Sequence, residues 1–426
     1  MVAAVSEGAG GADGALIGSR AGRSWSVSAT LPVSYDVRIV SDLLAPDNDA
    51  LERYVFAGRS RRRLLVVDQT VLDLYAQPFW AYLVDRRLPA TVVTVGVDET
   101  HKDLGLSLRI ARAADDFGLD RRAEPIVAMG GGVLLDVVGF AAGMYRRGTP
   151  YIRIPTTLVG LVDAGVGVKT GVNHNGHKNR LGAYHPPVLT LLDPSFLRTL
   201  PDRHISNGLA EVAKVALMCD PELWRTLVEH ADTLVASRLG SREWSAPRSP
   251  GRAVALLGQR VVAHAVHDML TELQPNLWET DLYRLVDFGH TFSPAMEMAT
   301  MPELLHGEAV ALDMALSCVL SAHRGLLSDR ELAEVLAVLV RLGLPVTHPA
   351  VTPEVLASGL QDAVRHRAGR QRLPVPVHPG QAVFLEDVTL DELVTCQQWL
   401  ADFLASRPAG WQRGGPVALE LADALG

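Results

Sequence analysis

The sequence predicts an α/β N-terminal domain with a parallel, helix-covered sheet, followed by a mostly α-helical C-terminal domain. Apolar runs with strand character alternate with amphipathic helical segments up to about residue 195, and from residue 201 onward the patterns are mostly helical. A chain of 426 residues with 48% hydrophobic content can also bury two cores. We therefore expect one domain over residues 25–200 and a second over residues 201–426.

In the first domain, predicted strands alternate with predicted helices after a leader segment. Residues 1–24 are rich in Gly and Ala and predict a disordered leader. The segment SVSATLPVSYDVRIV alternates like strands, and RRLLVVDQ (62–69) predicts a buried strand that ends at Asp68. TVVTVGVDE predicts another strand, and a helix follows it through DLGLSLRIARAADDFGL. PIVAMGGG is a strand that runs into glycines, and VLLDVVGFAAGMYRR is an amphipathic helix.

Charge and cysteine content exclude several classes of protein. The net charge of −8 and the pI near 6.0 argue against a nucleic acid or an anionic membrane as the main partner. The sequence shows neither a signal-peptide pattern nor an apolar run of membrane-spanning length. The three cysteines, Cys219, Cys318 and Cys396, form no CxxC motif. We therefore expect a cytoplasmic protein without disulfide bonds.

Lysine is rare in this chain. Of the 40 Lys and Arg residues only four are Lys: Lys102, Lys169, Lys178 and Lys214. A lysine ammonium is a compact charge with a shiftable pKa, and the guanidinium of Arg does not replace it. The alternative is chance retention on the surface. We expect functional roles, above all for Lys169 and Lys178, which flank a loop rich in Gly, Asn and His.

A candidate dinucleotide site lies at Gly130–Gly132, where a predicted strand meets a helix. Glycines at this point let the backbone approach a pyrophosphate at the helix N-terminus, although a plain tight turn would look the same. Asp136, one turn inside the helix, is unusual in a purely structural amphipathic segment. Asp68, at a strand end, suits a ribose, and Glu99 and Lys102 are spaced to hold a further hydroxyl.

A second group of polar residues falls within 33 positions, spaced by Gly and Pro: Arg147, Thr156, Thr157, Asp163, Lys169, Lys178 and Asn179. It combines cations, hydroxyls and free backbone amides, which together suit a phosphate ester. A solvated polar loop is the alternative, but the segment PTTLVGLVDAGVGVKTG is too apolar for a loop that only faces water.

A third group predicts a metal site. Glu211 lies one helical turn before Lys214, and His290 and His306 lie in apolar helical contexts. One carboxylate and two imidazoles leave an open coordination position, as in a catalytic zinc site. The long separations leave the alternative of two core histidines open.

These motifs together identify a family resemblance. The segments GGGVLLDVVGF, YRRGTPYIRIPTTLVGLVDAGVGVKTGVNHNGHKNRLGAYHPP, LDPSFLRTLP, GLAEVAK, DFGHTF and LLHGEAVAL resemble the sugar phosphate cyclase superfamily, whose best-known branch is 3-dehydroquinate synthase. The resemblance runs from about residue 60 to residue 375. It implies a Rossmann-like NAD domain followed by a helical metal-binding domain, in an enzyme that forms a homodimer.

The resemblance also implies roles for individual residues. The metal, zinc or alternatively cobalt, would be bound by Glu211, His290 and His306. The residues implied to line NAD are Asp68, Glu99, Lys102, Gly131, Gly132, Asp136, Thr156, Thr157, Lys169, Lys178, Phe196 and Thr199. Those implied around the substrate are Asp163, Lys169, Lys178, Asn179 and Lys214, with Arg147 reaching the phosphate from the partner subunit of a homodimer.

Departures from the 3-dehydroquinate synthase pattern indicate the branch. An Arg and an Asn of that pattern are Tyr283 and Asp287 here, and a later His is Pro294. No Lys or Arg lies between His264 and Tyr283, so we expect a pocket that has lost the cations needed for a substrate carboxylate. NLWE, DFGHTFSP and HRAGRQRLPVP resemble the sedoheptulose 7-phosphate cyclases, in particular the 2-epi-5-epi-valiolone synthases of aminocyclitol antibiotic biosynthesis. His366 or Arg367 would then replace a lysine near the phosphate.

The resemblance implies a sequence of transient oxidation by NAD⁺, loss of phosphate, return of the hydride, ring opening and intramolecular aldol closure. The enzyme is then a phosphate-eliminating lyase that regenerates NAD⁺. The 2-epi-valiolone synthases and the desmethyl-4-deoxygadusol synthases remain alternatives within the superfamily. Outside it, a polyol dehydrogenase of the glycerol dehydrogenase type and a non-catalytic NAD-sensing protein remain; the first would release NADH stoichiometrically.

Overall fold

The computed structural model describes residues 14–17, 24–244 and 250–406. The strands up to residue 192 are β1 (Gly14–Ile17), β2 (Ser26–Ala29), β3 (Asp36–Ile39), β4 (Arg63–Asp68), β5 (Ala90–Val95), β6 (Ile126–Gly130), β7 (Tyr151–Pro155), β8 (Lys169–His174), β9 (His177–Tyr184) and β10 (Leu189–Leu192). Six of them form the largest sheet, in the order β3-β10-β7-β6-β4-β5, and every pair in it is parallel.

Helices cover both faces of this sheet. The helix α1 (Gln69–Asp85) packs on one face, and α2 (Leu104–Phe117) and α3 (Gly132–Met144) pack on the other. The strands β4 and β6 are therefore buried along their whole length, as in other doubly covered parallel sheets. Since parallel strands end at the same edge, the segments that follow β4, β6 and β7 lie together there.

The strand β1 lies inside the segment predicted to be a disordered leader. It pairs with β2 in an antiparallel ladder from Gly14 and Ala29 to Ile17 and Ser26. Backbone hydrogen bonds to β2 thus give four of these residues a strand that the sequence analysis did not predict. The other residues of 1–23 lie outside the described part of the chain.

The segment between Lys169 and Lys178, predicted to be a loop, is a β-hairpin. The strands β8 and β9 pair antiparallel, and the turn between them is Asn175-Gly176, with φ of +50° and +73°. Positive φ at both central residues is the geometry of a type I′ turn, for which Asn-Gly is a preferred sequence. The Asn-Gly dipeptide was the signal that the loop interpretation overlooked. The hairpin packs against α3.

The rest of the described chain is mostly helical. Its helices are α4 (Asp202–Cys219), α5 (Pro221–Ala236), α6 (Arg252–Leu273), α7 (Ser293–Thr300), α8 (His306–His323), α9 (Asp329–Arg341), α10 (Pro353–His366) and α11 (Leu390–Ala405). A hairpin of β11 (Leu373–His378) and β12 (Gln381–Leu385) was not predicted, because Pro374 and Pro376 weaken its strand pattern. The predicted fold class is confirmed. Within the described residues, every helix is too short or too polar to cross a lipid bilayer.

The helices α4 and α8 form the centre of the helical part and approach each other closely where α8 begins. The backbone N–H of Gly307 donates to Oδ1 of Asn207 at 2.5 Å. A Cβ added to Gly307 would lie 2.0 Å from the backbone oxygen of Asn207, so only glycine permits this approach.

We expect Gly307→Ala to lower the free energy of unfolding by about 1–3 kcal/mol, because the added methyl group must push α8 away from α4. Chemical denaturation followed by circular dichroism measures this change. Gly96→Ala is the matched control, since a Cβ there meets nothing within 4 Å. Equal stability of the two variants would show that the helices are not in close contact at Gly307.

Candidate active site

Three side chains that are distant in the sequence meet in one cluster. Glu211 lies on α4, His290 precedes α7, and His306 is the first residue of α8. One potential ligand atom from each lies within 4.8 Å of the other two. Nε2 of His306 is 3.1 Å from Oε1 of Glu211, and Nε2 of His290 is 3.6 Å from the same oxygen. The structure therefore brings together the three residues predicted to bind a metal.

Both imidazoles are anchored through Nδ1. Nδ1 of His290 lies 3.1 Å from the backbone oxygen of Phe288, and Nδ1 of His306 lies 3.0 Å from Oε1 of Glu297. These contacts turn Nε2 of each ring toward Glu211. Glu297 was not among the residues predicted from the sequence, although it lies in the SPAME segment directly after the first histidine motif.

The charges around the cluster determine which groups are ionised. Burial alone would raise the pKa of Glu211, but Lys214 and the two histidines hold it well below its usual range. Burial, and then Lys214, lower the pKa of His290 to about 3. Burial also acts to lower the pKa of His306, but the neighbouring carboxylates outweigh it and raise the pKa to about 9. The cluster thus offers one carboxylate, one neutral imidazole and one imidazole that exchanges a proton for a metal.

The cluster has the properties of a zinc site. Nζ of Lys214 lies 2.5 Å from Oε2 of Glu211, yet neither oxygen of this buried carboxylate receives a well-directed hydrogen bond. A buried acceptor without such bonds is costly, and a divalent cation would satisfy it. One carboxylate and two imidazoles also leave the fourth tetrahedral position open. The residues present therefore fit a zinc ion.

All four lysines of the chain form ion pairs with carboxylates in this region. The pairs are Lys102 with Asp136, Lys169 with Glu279, Lys178 with Glu297 and Lys214 with Glu211. Three of the lysine side chains are almost fully buried, whereas Lys169 is 57% exposed. Nζ of Lys178 is also 3.3 Å from Nδ1 of His306. The two lysines of the hairpin thus have separate carboxylate partners. Glu297, the partner of Lys178, contacts His306 of the metal cluster, and Glu279 is the partner of Lys169.

Two predicted substrate residues lie close to these pairs. Asp163 lies in the short helical turn Gly160–Ala164, where burial and then the charge of Glu211 raise its pKa. Asn179 accepts a hydrogen bond from Nζ of Lys102 at 2.7 Å, and Lys102 also lies 2.7 Å from Asp136. A single buried lysine thus connects Asp136, predicted at the cofactor, with Asn179, predicted at the substrate.

The residues predicted to line the cofactor follow the carboxyl edge of the large sheet. Asp68 ends β4 and caps α1 by accepting from the N–H of Thr70. The segments after β6 and β7 are in contact, since a Cβ on Gly131 would lie 3.1 Å from Cγ2 of Thr157. Gly132 begins α3, and the N–H of Thr156 donates to the backbone oxygen of Gly130.

Tyr75, which the sequence analysis missed, joins two other predicted cofactor residues. Its ring meets Phe196 edge-on at 5.2 Å, and its hydroxyl lies 2.9 Å from Oγ1 of Thr199. A cavity of about 280 Å³ is lined by Tyr75 and Phe196 among others. Glu99, by contrast, accepts a hydrogen bond from Asn173 of β8 at 2.8 Å, so it also holds the hairpin in place.

The surroundings of Asp287 have not lost their cations, contrary to the prediction. Arg284 lies one residue beyond the cation-free stretch, and its NH1 is 2.6 Å from Glu279 and 3.0 Å from Asp287. Arg367 lies 3.4 Å from Asp287. Burial would raise the pKa of Asp287, but these arginines lower it. The cations are present, and each of them is paired with a carboxylate of the chain itself.

Two predicted residues lie away from the cluster. His366 is exposed at the end of α10, and its Nε2 is 3.5 Å from Arg180 on β9. Of the two alternatives, Arg367 and not His366 is buried in the pocket with Asp287. Arg147 is exposed on the loop after α3, with φ of +64°.

Comparison with known proteins gives consistent matches over most of the chain. The 3-dehydroquinate synthase N-terminal model matches residues 92–207, and the C-terminal model matches residues 208–363. A 2-epi-5-epi-valiolone synthase of Streptomyces hygroscopicus subsp. jinggangensis is 50% identical over 89% of this chain and 90% of its own length. One from an Actinoplanes species is 51% identical over 87% of this chain and 91% of its own.

A solved structure supports the same assignment. ValA, the 2-epi-5-epi-valiolone synthase from Streptomyces hygroscopicus subsp. jinggangensis with NAD⁺ and Zn²⁺ bound, superposes with a TM-score of 0.83 and 50% identity. The match covers 89% of this chain and all of that one (100%). The chain therefore belongs to the 3-dehydroquinate synthase family of sugar phosphate cyclases, alongside the 2-epi-5-epi-valiolone synthases.

Proposed function

We propose that the protein is an NAD- and metal-dependent sedoheptulose 7-phosphate cyclase that forms 2-epi-5-epi-valiolone with loss of phosphate. The observation that carries this proposal is the partly buried cluster of Glu211, His290 and His306 beside the lysine-bearing hairpin. The names of the half-identical relatives support the product, and the NAD⁺ and Zn²⁺ of ValA support the cofactors. Cobalt is the alternative metal.

The metal, bound by Glu211, His290 and His306, would lower the pKa of a substrate hydroxyl, and NAD⁺ would accept and return a hydride. Lys214 and Asp163 lie beside the cluster and orient the hydroxyls of the substrate. The phosphate end is held by Lys169, Lys178 and Asn179, and Asp287 lies in the pocket next to them. The cofactor is lined by Asp68, Glu99, Lys102, Gly131, Gly132, Asp136, Thr156, Thr157, Phe196 and Thr199, with Lys169 and Lys178 at its substrate side.

The assembly and the location belong to the same proposal. Arg147 is exposed within its own chain, so it is free to reach the phosphate site of a partner subunit in a homodimer. The two domains meet near residue 200, and the enzyme works in the cytoplasm. His366 contributes only indirectly, through Arg180 of the hairpin.

The charges around Asp287 favour a substrate without a carboxylate. Lys169, Arg284 and Arg367 face the two carboxylates of Glu279 and Asp287, which leaves one positive charge in excess. A phosphate can use that charge. An additional substrate carboxylate would be buried without a free cation, which costs several kcal/mol.

We expect Glu211→Ala and His290→Ala to lose zinc and activity together, because each removes one of three ligands. The rate of phosphate release should fall more than about a hundred-fold. Metal content by plasma mass spectrometry and a colorimetric phosphate assay measure the two effects. His230→Ala, on the exposed face of α5, is the matched control and should keep both. A His290→Ala variant with a full equivalent of zinc would refute the ligand assignment.

We expect kcat/KM for sedoheptulose 7-phosphate to exceed that for the corresponding heptulosonate 7-phosphate by at least about a hundred-fold, because the second substrate carries the unpaired carboxylate. Initial rates of phosphate release with saturating NAD⁺ and Zn²⁺ give both values. Comparable values for the two substrates would mean that the internal ion pairs do not select against a carboxylate.

A further inference from the structure

We propose that Glu297 is a positioning residue that fixes the metal-binding form of His306 and separates it from the charge of Lys178. The proposal rests on the metal site of the proposed function. Glu297 was given no role by the sequence motifs, and it is not one of the three residues of the metal cluster. The Glu297 side chain is 7% exposed and lies on α7, seven residues after His290.

The two oxygens of Glu297 have different partners. Oε1 lies 3.0 Å from Nδ1 of His306, and Oε2 pairs with Nζ of Lys178. An ionised carboxylate can only accept hydrogen bonds, so the proton of the neutral imidazole lies on Nδ1. The lone pair of His306 is then on Nε2, which points to Glu211 at 3.1 Å.

The two histidines obtain the same orientation by different means. His290 is held by the backbone oxygen of Phe288, which no substitution removes, whereas His306 is held by a side chain. A carboxylate at the second nitrogen also makes an imidazole a stronger ligand than a neutral acceptor does. Of these two contacts at Nδ1, a point mutation can therefore remove only that of Glu297 with His306.

Lys178 increases the need for this support. Its ammonium group lies 3.3 Å from Nδ1 of His306, and an ammonium group can donate but not accept. Without Glu297, Lys178 would draw the lone pair of the ring to Nδ1 and so favour the wrong tautomer. One oxygen of Glu297 pairs with the ammonium group of Lys178, and the other accepts a hydrogen bond from the N–H of the His306 ring.

The test compares zinc affinities of the full-length protein, stripped of metal, by competition with a chromophoric chelator. We expect Glu297→Gln to bind zinc about ten- to a hundred-fold more weakly than the wild type, as for other carboxylates behind metal-bound histidines. Glu331→Gln is the matched control and should bind like the wild type. Glu331 also faces Nδ1 of a histidine, His378, at 2.6 Å, and Gln keeps its capping role on α9.

Two further variants keep the test decisive if Glu297→Gln does not fold. Lys178→Met should bind zinc at least as tightly as the wild type, because Glu297 still holds His306. The double variant Lys178→Met/Glu297→Gln removes both buried charges and should still bind zinc more weakly than the wild type, but less weakly than Glu297→Gln, because the competing ammonium group is gone. The visible spectrum of the cobalt-loaded proteins should change with residue 297 and not with residue 178.

The outcomes separate this inference from the proposed function. Tight zinc binding by the wild type and equally tight binding by the double variant would overturn the role of Glu297 alone. A loss of affinity that follows residue 178 would overturn it as well. A wild-type protein that takes up no zinc would overturn both the metal site and this inference.

Discussion

The site depends on one constraint: ionised side chains that are buried must be matched by opposite charges. An isolated carboxylate is too costly to bury, and it stays ionised only with close partners. Glu211 and Glu297 satisfy this condition through Lys214, Lys178 and the imidazoles between them. The same constraint explains why lysine survives at these positions in a chain that otherwise uses arginine. Beside an imidazole, as at Lys178, a compact ammonium group takes less space than a planar guanidinium.

The fold brings the charged pairs together from three directions. The carboxyl edge of the parallel sheet supplies the residues that we propose for the cofactor. The β8–β9 hairpin supplies Lys169 and Lys178, and the helices α4 and α8 supply Glu211 and His306. The hairpin is the element that links them, because its lysines pair with carboxylates of the helical part and Lys102 binds its Asn179. A hairpin positions side chains more rigidly than the loop that the sequence suggested.

Much of this arrangement could be predicted from the sequence, and the limits have physical causes. Periodicity located the buried strands and amphipathic helices. The motifs located Glu211, His290 and His306, because only a few residue types can bind a metal and the motifs contain them. Sequence separation does not show which charges meet in space, so the partner carboxylates Glu279 and Glu297 were missed. The argument from absent cations failed at Arg284 for the same reason, since its guanidinium reaches back to Asp287 from outside the stretch considered.

In the proposed function, the metal cluster and NAD⁺ act together in a redox-neutral cyclisation of a sugar phosphate that carries no carboxylate. The most direct measurement is incubation of the full-length enzyme with sedoheptulose 7-phosphate, catalytic NAD⁺ and Zn²⁺, with the products identified by ¹H and ³¹P NMR and the absorbance of NADH followed in parallel. We expect 2-epi-5-epi-valiolone, one equivalent of inorganic phosphate and no accumulation of NADH. Stoichiometric NADH with the phosphate ester intact would contradict it and indicate a simple polyol dehydrogenase.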